Sequence, residues 1–480
     1  MTKDVVEVWM SSEKEPSSRS WYHAPSHITY KLEKQPNLNI TAEDSSNITT
    51  IHINPSKLYQ SILGIGTSME ESTIFCLARM SEVKRNEVIT KLVHTEKGIG
   101  IDFIRVCIGS SDFTGRKFYT YDDRINNEPD INLDHFSIQK DIDYNIIRTL
   151  KEALAINTHI KFLASPWTPP GWMKEKNNEF TEDNEYNLKG GKLKNEYIET
   201  LAKYYRKFIQ AYKQQGIPIY AITLQNEPML ETNYPSCAMT SDQEKKLAIA
   251  LKRELSAYNL NSEIWIFDHN FNDGKNFATG VLDSEEALNA VDGIAFHDYN
   301  GDIATMQEIQ ELYPSKDVML TERSVWGAKG ADRIAQYFRN SAVSYNSWVT
   351  MLDSNIAPHQ WVGTPDPTMI VQDATLAITS VESNIYDNYW LCPEYYLIGQ
   401  FSKFIQRGAK RIDSNYGEVD KITNVAFLNP DNNIIIVVIN QTKENQPLKI
   451  SCNNLQISSK MPACTVATYI WKYKADNLHT

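Results

Sequence analysis

The chain has 480 residues, of which 41% are hydrophobic and 22% are charged, and its net charge at pH 7 is −12. The hydrophobic share excludes a disordered protein, and an acidic chain with no basic stripe excludes a nucleic-acid-binding protein. A chain of this length exceeds what one small core supports, so we expect one large domain and one smaller domain.

The six cysteines are dispersed, and no two of them have the spacing of a metal site or a redox motif. In a chain of this length they predict reduced, mostly buried thiols. The N-terminal stretch lacks the apolar core of a leader, and no apolar run is long enough to span a membrane. These patterns favour a cytoplasmic protein without an integral membrane segment, with secretion as the alternative if a leader precedes residue 1.

The chain opens with short strand-like runs at residues 5–10, 28–32 and 48–53. After Gln60, short apolar runs alternate with segments of 3.6-residue period, the pattern of βα units around a parallel sheet. In one such unit, Gly216 follows a helix with an aromatic stripe, at the position of a C-terminal cap. At the start of a later helix, Ser241 and Glu244 have the spacing of a capping box.

Eight runs are candidate strands of a barrel: residues 61–66, 101–108, 159–164, 219–225, 263–268, 293–297, 318–322 and 347–352. Eight βα units over roughly 340 residues fit a (β/α)8 TIM barrel with insertions. A doubly wound sheet is the alternative, but neither Gly-Ile-Gly segment of the chain resembles a phosphate-binding loop. After Lys403 the sequence becomes strand-like again, with a hairpin around residues 429–433, which predicts an all-β module.

Two glutamates stand where apolar barrel strands end. Glu227 follows the fourth candidate strand and Glu322 ends the seventh, and these strands lie across the barrel from each other. Facing carboxyls suit glycosidic hydrolysis, in which one donates a proton to the leaving oxygen and the other attacks the anomeric carbon. Arg323 is a candidate to keep Glu322 ionised, although neighbouring residues of a strand point to opposite faces. We expect the charge of Glu322 to raise the pKa of Glu227. The alternative for either glutamate is a surface ion pair.

Other polar and aromatic residues also follow barrel strands. Trp167 ends the third strand, where an indole either forms a wall for a sugar ring or packs into the core. Asp112 is a candidate acceptor of hydrogen bonds from sugar hydroxyls, with a turn cap as the alternative. His297 is expected to form hydrogen bonds, since no partner His or Cys has a metal-site spacing, and Tyr299 is expected near the nucleophile.

The remaining loops carry no competing catalytic motif. The long polar segment 174–195 is either a substrate wall or lid, or a solvated insertion. A Ser/His/Asp hydrolase is disfavoured, because the chain has no Gly-x-Ser-x-Gly motif.

The sequence resembles a known family in six stretches: FIRVCIGSSDFTGRKFYTYDD, FLASPWTPPGWMK, YAITLQNEP, GIAFHDY, MLTERSVWG and GQFSKFI. With them the chain resembles the glucosylceramidase-like branch of glycoside hydrolase family 30, over most of its length. The combination of SPWT and QNEP is highly specific. The resemblance implies a TIM barrel with an accessory all-β sandwich built from both chain ends. We accordingly expect residues 1–58 to contribute strands to the sandwich, 59–406 to form the barrel and 407–480 to complete the sandwich.

The resemblance also implies roles for individual residues. It implies retention of the β configuration, with Glu227 as acid/base and Glu322 as nucleophile. Asn226 falls on the position that bonds the sugar 2-hydroxyl, a contact that strengthens in the transition state. The glycone-binding positions of the family fall on Asp112, Trp167, Asn226 and Tyr299.

His297 and Trp348 complete the set of residues that we expect to bind substrate. The sequence departs from the family pattern at the first strand, which reads GIGTSMEES. It also departs after the eighth strand, where Met351 takes the place expected for a pocket tryptophan. Both departures bear on the shape of the sugar pocket.

The sequence therefore predicts a retaining enzyme that cleaves β-glucosidic bonds, of the glucosylceramidase type. The alternatives are an endo-β-1,6-glucanase, a xylose- or fucose-directed member of the family, and, in another class, a carbohydrate-binding protein without catalysis. The expected partner is a carbohydrate or glycolipid substrate, and no nucleic acid, cofactor or metal is expected. The oligomeric state stays open.

Overall fold

The computed structural model describes residues 5–13, 28–39, 48–375, 378–380, 383–453 and 455–473. Residues 1–4 and 14–27, in the stretch where no leader is expected, lie outside this described part, as do residues 474–480 of the predicted C-terminal domain. Within the described part, no helix is both long and apolar enough to cross a membrane. All six cysteines are free thiols and four of them are buried, as predicted.

Eight parallel strands close into a barrel, which confirms the predicted fold. Its members in chain order are β4 (Gly64–Ser68), β5 (Phe103–Ile108), β6 (Lys161–Pro166), β7 (Ile219–Thr223), β8 (Glu263–Asn270), β9 (Gly293–His297), β10 (Asp317–Glu322) and β11 (Ala342–Ser347). Seven of these strands overlap the predicted runs over most of their length. Side chains at the carboxyl ends of all eight meet at one mouth of the barrel, which is where such folds place their sites.

The predicted eighth strand, residues 347–352, is wrong. The strand is Ala342–Ser347, and it pairs with β4 and β10. Its polar residues are buried inside the barrel, where Asn346 donates a hydrogen bond to the carbonyl of Phe103 at 3.0 Å. Because those positions are polar, the strand lacks the apolar run by which the others were predicted.

Helices surround the barrel and cover its strands. They are α1 (Glu71–Ala78), α2 (Glu82–Val93), α3 (Gln139–Asp143), α4 (Ile146–Ile156), α5 (Ile198–Gln214), α6 (Ser241–Ala257), α7 (Phe271–Val281), α8 (Glu285–Ala290), α9 (Ala304–Leu312), α10 (Gly327–Arg339) and α11 (Pro393–Ser402). In α5, Tyr204, Tyr205, Phe208 and Tyr212 are fully buried, so its predicted aromatic stripe faces the core. Short 3-10 helices occupy Ile125–Asn127, Gly171–Met173 and Asn195–Tyr197.

The caps of these helices confirm one sequence prediction and correct another. Gly216 lies just beyond the end of α5 with φ +81°, as expected of a C-terminal glycine. The capping box of α6 is formed by Thr240 and Gln243, one residue before the predicted pair. Glu244 is instead buried and accepts a hydrogen bond from the backbone N–H of Phe267, which it reaches by facing the barrel.

The two ends of the chain share one ten-stranded sheet, as the predicted sandwich requires. Its strands are β1 (Val5–Ser12), β2 (Lys31–Asn39), β3 (Thr49–Ser61), β17 (Lys410–Ser414), β18 (Gly417–Glu418), β19 (Ile422–Leu428), β20 (Asn433–Asn440), β21 (Gln446–Cys452), β22 (Leu455–Met461) and β23 (Thr465–Lys472). Strand β1 pairs antiparallel with β23, and β3 lies between β17 and β21. The predicted hairpin joins β19 to β20. The sheet has an apolar core of its own, separate from that of the barrel.

Short strands extend the loops at the mouth of the barrel. Strands β12 (Met351–Asp353), β13 (Ile370–Gln372) and β16 (Tyr389–Leu391) form one small sheet, and β14 (Ile378–Ser380) and β15 (Ser383–Ile385) form another. The polar segment 174–195 is tied down at its first residue. Lys174 is buried and donates to the backbone carbonyls of Leu188, Gly190 and Ser236 at 2.6–2.9 Å. This segment is therefore anchored at its first residue.

Candidate active site

The structure brings Glu227 and Glu322 together at the mouth of the barrel. Glu322 is the last residue of β10, and Glu227 follows β7 with φ +49°, an uncommon backbone conformation for glutamate. Oε1 of Glu227 lies 3.1 Å, and Oε1 of Glu322 lies 3.8 Å, from one atom, Nδ1 of His297. Both carboxylates therefore approach one imidazole nitrogen. Both line one cavity of about 260 Å³.

Arg105, a residue that the sequence analysis did not single out for the site, holds Glu322 in place. It lies on β5 with 1% exposure, and its Nη1 donates to Oε2 of Glu322. Its Nη2 donates to Oδ2 of Asp268 at 2.9 Å and to Oδ1 of Asn226 at 2.8 Å. One buried guanidinium thus orients the nucleophile candidate, a second carboxylate and the amide that is predicted to bind substrate.

The expectation that Arg323 keeps Glu322 ionised is wrong. Arg323 instead pairs with Asp366 at 3.3 Å, and its guanidinium lies 4.9 Å from the ring centroid of Tyr299. Neighbouring residues of a strand point to opposite faces, so the cation beside Glu322 in the sequence points away from it. The cation that contacts Glu322 comes from β5, three strands away around the barrel.

Tyr299 lies near the nucleophile candidate, as expected. Its hydroxyl donates a hydrogen bond to Oε1 of Glu322 at 2.9 Å. Burial and the negative charge of Glu322 raise the pKa of Tyr299 well above its usual value, so the phenol keeps its proton and remains a donor. Arg105 and Tyr299 therefore each bond one oxygen of the Glu322 carboxylate.

His297 connects the two glutamates to Asp268. The imidazole is fully buried, with Nδ1 beside Glu227 and Nε2 3.1 Å from Oδ1 of Asp268. Burial lowers the pKa of His297, but the charges of Glu322 and Asp268 raise it more, to about 10. Asp268 is ionised, because Arg105 and His297 hold its pKa far below the usual value despite burial. His297 is thus a protonated imidazole between carboxylates.

The expectation that Glu322 raises the pKa of Glu227 is also wrong for this arrangement. Burial raises the pKa of the Glu227 carboxyl, but the imidazoles of His269 and His297 lower it more, to about 2. The proton that the sequence analysis placed on Glu227 is therefore held on His297, one hydrogen bond away. Together the two side chains form a pair that carries one proton.

His269 is a second residue that sequence reasoning missed. Its Nδ1 lies 3.3 Å from Oε1 of Glu227, although not aligned for a hydrogen bond. A bulge in β8 between Phe267 and His269 turns both Asp268 and His269 toward the mouth, which regular alternation would not allow. No sequence spacing pointed to a second histidine beside His297. The structure supplies one, His269, from the neighbouring strand. Polar residues ending an apolar strand, the signal that revealed Glu227, also mark Asp268 and His269.

The remaining predicted residues surround the carboxylates. Trp348 follows β11 directly, lines the cavity and stacks on Trp167 with ring centroids 5.2 Å apart. The pocket tryptophan that Met351 was expected to replace is therefore Trp348, and Met351 is fully buried at the start of β12. Asp112 also lines the cavity. Burial and the charge of Glu322 raise the pKa of Asp112 well above its usual value, which favours a neutral carboxyl in the free site.

Five of the eight predicted site residues line the cavity itself: Asp112, Glu227, Tyr299, Glu322 and Trp348. Trp167, Asn226 and His297 lie behind them and contact the lining residues or Arg105. The cavity is also lined by residues that sequence reasoning did not identify: Phe113, Leu230, Tyr234, Asn270, Val349, Trp361, Pro365 and Asp366. The cavity thus combines the charged groups of the carboxylates with apolar and aromatic side chains.

Comparisons with known proteins assign the chain to a family. A model of the glycosyl hydrolase family 30 TIM-barrel domain matches residues 62–405, and a model of the family 30 beta sandwich domain matches residues 408–469. A putative glucosylceramidase 2 of Caenorhabditis elegans is 29% identical over 429 residues, which cover 84% of this chain and 79% of that protein. The endo-1,6-beta-D-glucanase BGN16.3 of Trichoderma harzianum is 28% identical, with coverages of 86% and 84%.

A solved structure is similar over nearly the whole chain. The structure of the endo-beta1,6-glucanase BT3312 matches with a TM-score of 0.81 and 27% identity, covering 98% of this chain and 100% of that one. The similarity therefore includes both the barrel and the shared sheet.

Replacing Arg105 by lysine tests its place at the centre of the site. The compact charge of a lysine ammonium cannot reproduce the planar fork of donors with which Arg105 bonds Glu322, Asn226 and Asp268, so we expect Arg105→Lys to lower kcat/KM on an aryl glycoside by about 100-fold or more. The matched control is Arg85→Lys, which alters a buried arginine paired with Glu152 at 2.9 Å, away from the cavity. Equal activity in the two variants would contradict the role given to Arg105.

Proposed function

Because the chain belongs to glycosyl hydrolase family 30, we propose that it cleaves β-glucosidic bonds with retention of configuration, with Glu322 as nucleophile and Glu227 as acid/base. The observation that carries the proposal is the approach of both carboxylates to the same nitrogen of His297, at 3.1 and 3.8 Å. A retaining mechanism needs carboxyls about 5–5.5 Å apart, whereas an inverting one needs room for a water molecule between them.

In the first step, the ionised Glu322 attacks the anomeric carbon and forms a glycosyl ester while the bond to the leaving oxygen breaks. Arg105 and Tyr299 bond its two oxygens and so orient the attacking lone pair. The leaving oxygen takes a proton through Glu227, which is replenished from His297 across their hydrogen bond.

In the second step, Glu227 acts as a base. It takes a proton from a water molecule, whose oxygen attacks the anomeric carbon of the ester and releases Glu322 as a carboxylate. Asp268 stays ionised throughout and stabilises the charge on His297. Two displacements on the same carbon restore the β configuration, and the proton pair ends in its starting state.

Asp112 and Trp348, which line the cavity beside the two glutamates, suit the binding of a single sugar ring. Asp112 supplies an acid at its edge, and Trp348 supplies an aromatic face backed by Trp167. Indole faces pack against the C–H faces of sugar rings while carboxyls bond their hydroxyls. Asn226, oriented by Arg105, is the candidate partner of the 2-hydroxyl.

Apolar and aromatic side chains of the cavity favour an apolar aglycone. Leu230, Tyr234, Val349 and Trp361 line the same cavity as the two carboxylates, and Trp361 is 37% exposed. Burial of apolar substrate surface against these side chains stabilises a complex with a glycolipid of the glucosylceramide type. We therefore propose such a glycolipid as the preferred substrate class.

A β-1,6-glucan is the second candidate substrate. Tyr234 and Trp361 are aromatic, so they are also suited to stacking on a further glucose unit. The similarity to the endo-beta1,6-glucanase BT3312 over 98% of this chain favours this candidate. Both candidates place a glucose ring beside the two glutamates. They differ in the group bonded to that ring, which is a lipid in one and a further glucose unit in the other.

A substrate panel tests the proposed function. We expect hydrolysis of aryl β-glucosides at rates at least about tenfold above those of aryl β-xylosides and β-fucosides, because the proposed function assigns the site to a glucose ring. Glucosylceramide in detergent micelles and a β-1,6-glucan are then compared by kcat/KM. Release of glucose from glucosylceramide alone supports the leading candidate, and oligosaccharide release from the glucan supports the second. Binding of sugars without any hydrolysis would contradict both.

Replacing His297 by glutamine tests the shared proton through the pH profile. Activity requires the proton on the Glu227–His297 pair. Activity is therefore present at low pH and is lost as pH rises through the pKa of the pair. His297, with its pKa raised to about 10, keeps that proton into alkaline pH. Without the imidazole, Glu227 alone carries it, and we expect the alkaline limb of kcat/KM to move down by about one pH unit or more.

The profile is measured on a substrate with a poor leaving group, which needs the proton. A dinitrophenyl glucoside needs none, so its hydrolysis by His297→Gln should depend much less on pH. The matched control is His159→Gln, which alters an exposed histidine before β6. An alkaline limb shared by wild type and His297→Gln would show that the imidazole does not hold the proton.

A further inference from the structure

A second group of ligand-type side chains lies outside the cavity, in the loop that follows β5. Asp122, Asp130 and His135 each present one donor atom, and the three atoms lie within 4.8 Å of one another. None of the three lines the catalytic cavity, although the same loop carries Asp112. Sequence spacing predicted no metal ligands in this chain, because the three positions form no recognised motif.

The separations within this cluster match those between ligands of one metal ion. Oδ2 of Asp130 lies 2.9 Å from Nδ1 of His135. Two donors that each bond an ion at about 2.0–2.2 Å, with an angle between about 90° and 110° at the metal, lie about 3 Å apart. His135 is 57% exposed at its side chain, so its ring is free to adjust and leaves open positions for water.

Asp122 provides the independent sign of a missing ligand. The residue is 2% exposed, and neither of its carboxylate oxygens has a hydrogen-bond partner among the described residues. A buried carboxylate without a partner is costly.

The backbone around Asp122 is held firmly. Its carbonyl accepts a hydrogen bond from the indole of Trp172 at 3.3 Å. The preceding residue, Tyr121, bonds Asp141 through its hydroxyl at 2.6 Å and Tyr204 through its backbone N–H at 3.1 Å. Asp122 is thus pre-oriented, which lowers the entropy lost when a ligand binds.

We propose that Asp122, Asp130 and His135 form a binding site for a divalent transition-metal ion, with Zn²⁺ as the best match. An imidazole with two carboxylates favours Zn²⁺ over Ca²⁺ or Mg²⁺, which prefer oxygen ligands alone. On binding, the Nδ1 lone pair of His135 coordinates the ion, and the proton on that nitrogen moves to Nε2 or to water. The ion replaces the hydrogen bond between His135 and Asp130 and links both to Asp122, fixing the loop that carries Asp112.

Titration of the full-length enzyme tests this site. After treatment with EDTA and its removal, the protein is titrated with ZnCl₂ by calorimetry and with CoCl₂ by visible absorption. We expect one site per chain, and a melting temperature raised by about 2–5 °C at a hundredfold excess over Kd. Asp122→Asn should weaken Zn²⁺ binding at least about tenfold and remove the thermal shift.

Two further variants keep the test decisive. His135→Ala removes an exposed ligand, so it retains the fold if Asp122→Asn does not, and it should also abolish binding. Asp134→Asn, which changes an exposed acid next to His135, is the matched control and should bind Zn²⁺ as wild type does.

The cluster of Glu227, His269 and His297 is the competing site, since its donor atoms also lie within 4.8 Å of one another. Zn²⁺ binding that survives in Asp122→Asn and His135→Ala but is lost in His269→Gln would overturn the proposal. Absence of any binding below millimolar Zn²⁺ would overturn it as well. Binding lost in the two loop variants and retained in His269→Gln would support it.

Discussion

The site is built around one guanidinium buried inside the barrel. Arg105 is 1% exposed and contacts Glu322, Asp268 and Asn226, which come from three different strand ends. A charge in such a place is tolerated only when ionised partners surround it, and its removal would leave His297 as the cation beside two buried carboxylates. Its five N–H donors in a planar fork fix the directions of those partners as well as their charges. The positions of Glu322 and Asn226 therefore depend on Arg105.

The second cation, His297, divides the acid and nucleophile roles between two chemically identical side chains. Glu322 is bonded by Arg105 and Tyr299, whereas Glu227 faces the imidazoles of His269 and His297. Two carboxylates alone would raise one another's pKa, but the imidazole of His297 lowers the pKa of Glu227, and the proton is held on His297, one hydrogen bond away. Asp268 supports this state from the far side of the ring. The difference in partners, rather than in the carboxyls themselves, sets the proposed roles.

The features that could be predicted from the sequence depend on local pattern, and those that could not depend on strands meeting in space. The barrel follows from alternating apolar runs and amphipathic helices, and Glu227 and Glu322 stand out as acids that end apolar strands. The position of strand β11 was predicted wrongly because its buried face is polar, with Asn346 bonded inside the barrel. The roles of Arg105 and His269 could not be predicted because their partners lie on other strands. In addition, the bulge in β8 breaks the alternation that sequence reasoning assumes.

The most direct measurement of the central claim is azide rescue of two glycine variants on an activated aryl β-glucoside. Glu322→Gly leaves space on the face that the nucleophile occupied, so azide should restore turnover and give the α-glucosyl azide. Glu227→Gly still forms the ester on Glu322, and azide should then give the β-glucosyl azide. Products of the opposite configurations, or the same product from both variants, would contradict the assignment of Glu322 as nucleophile and Glu227 as acid/base.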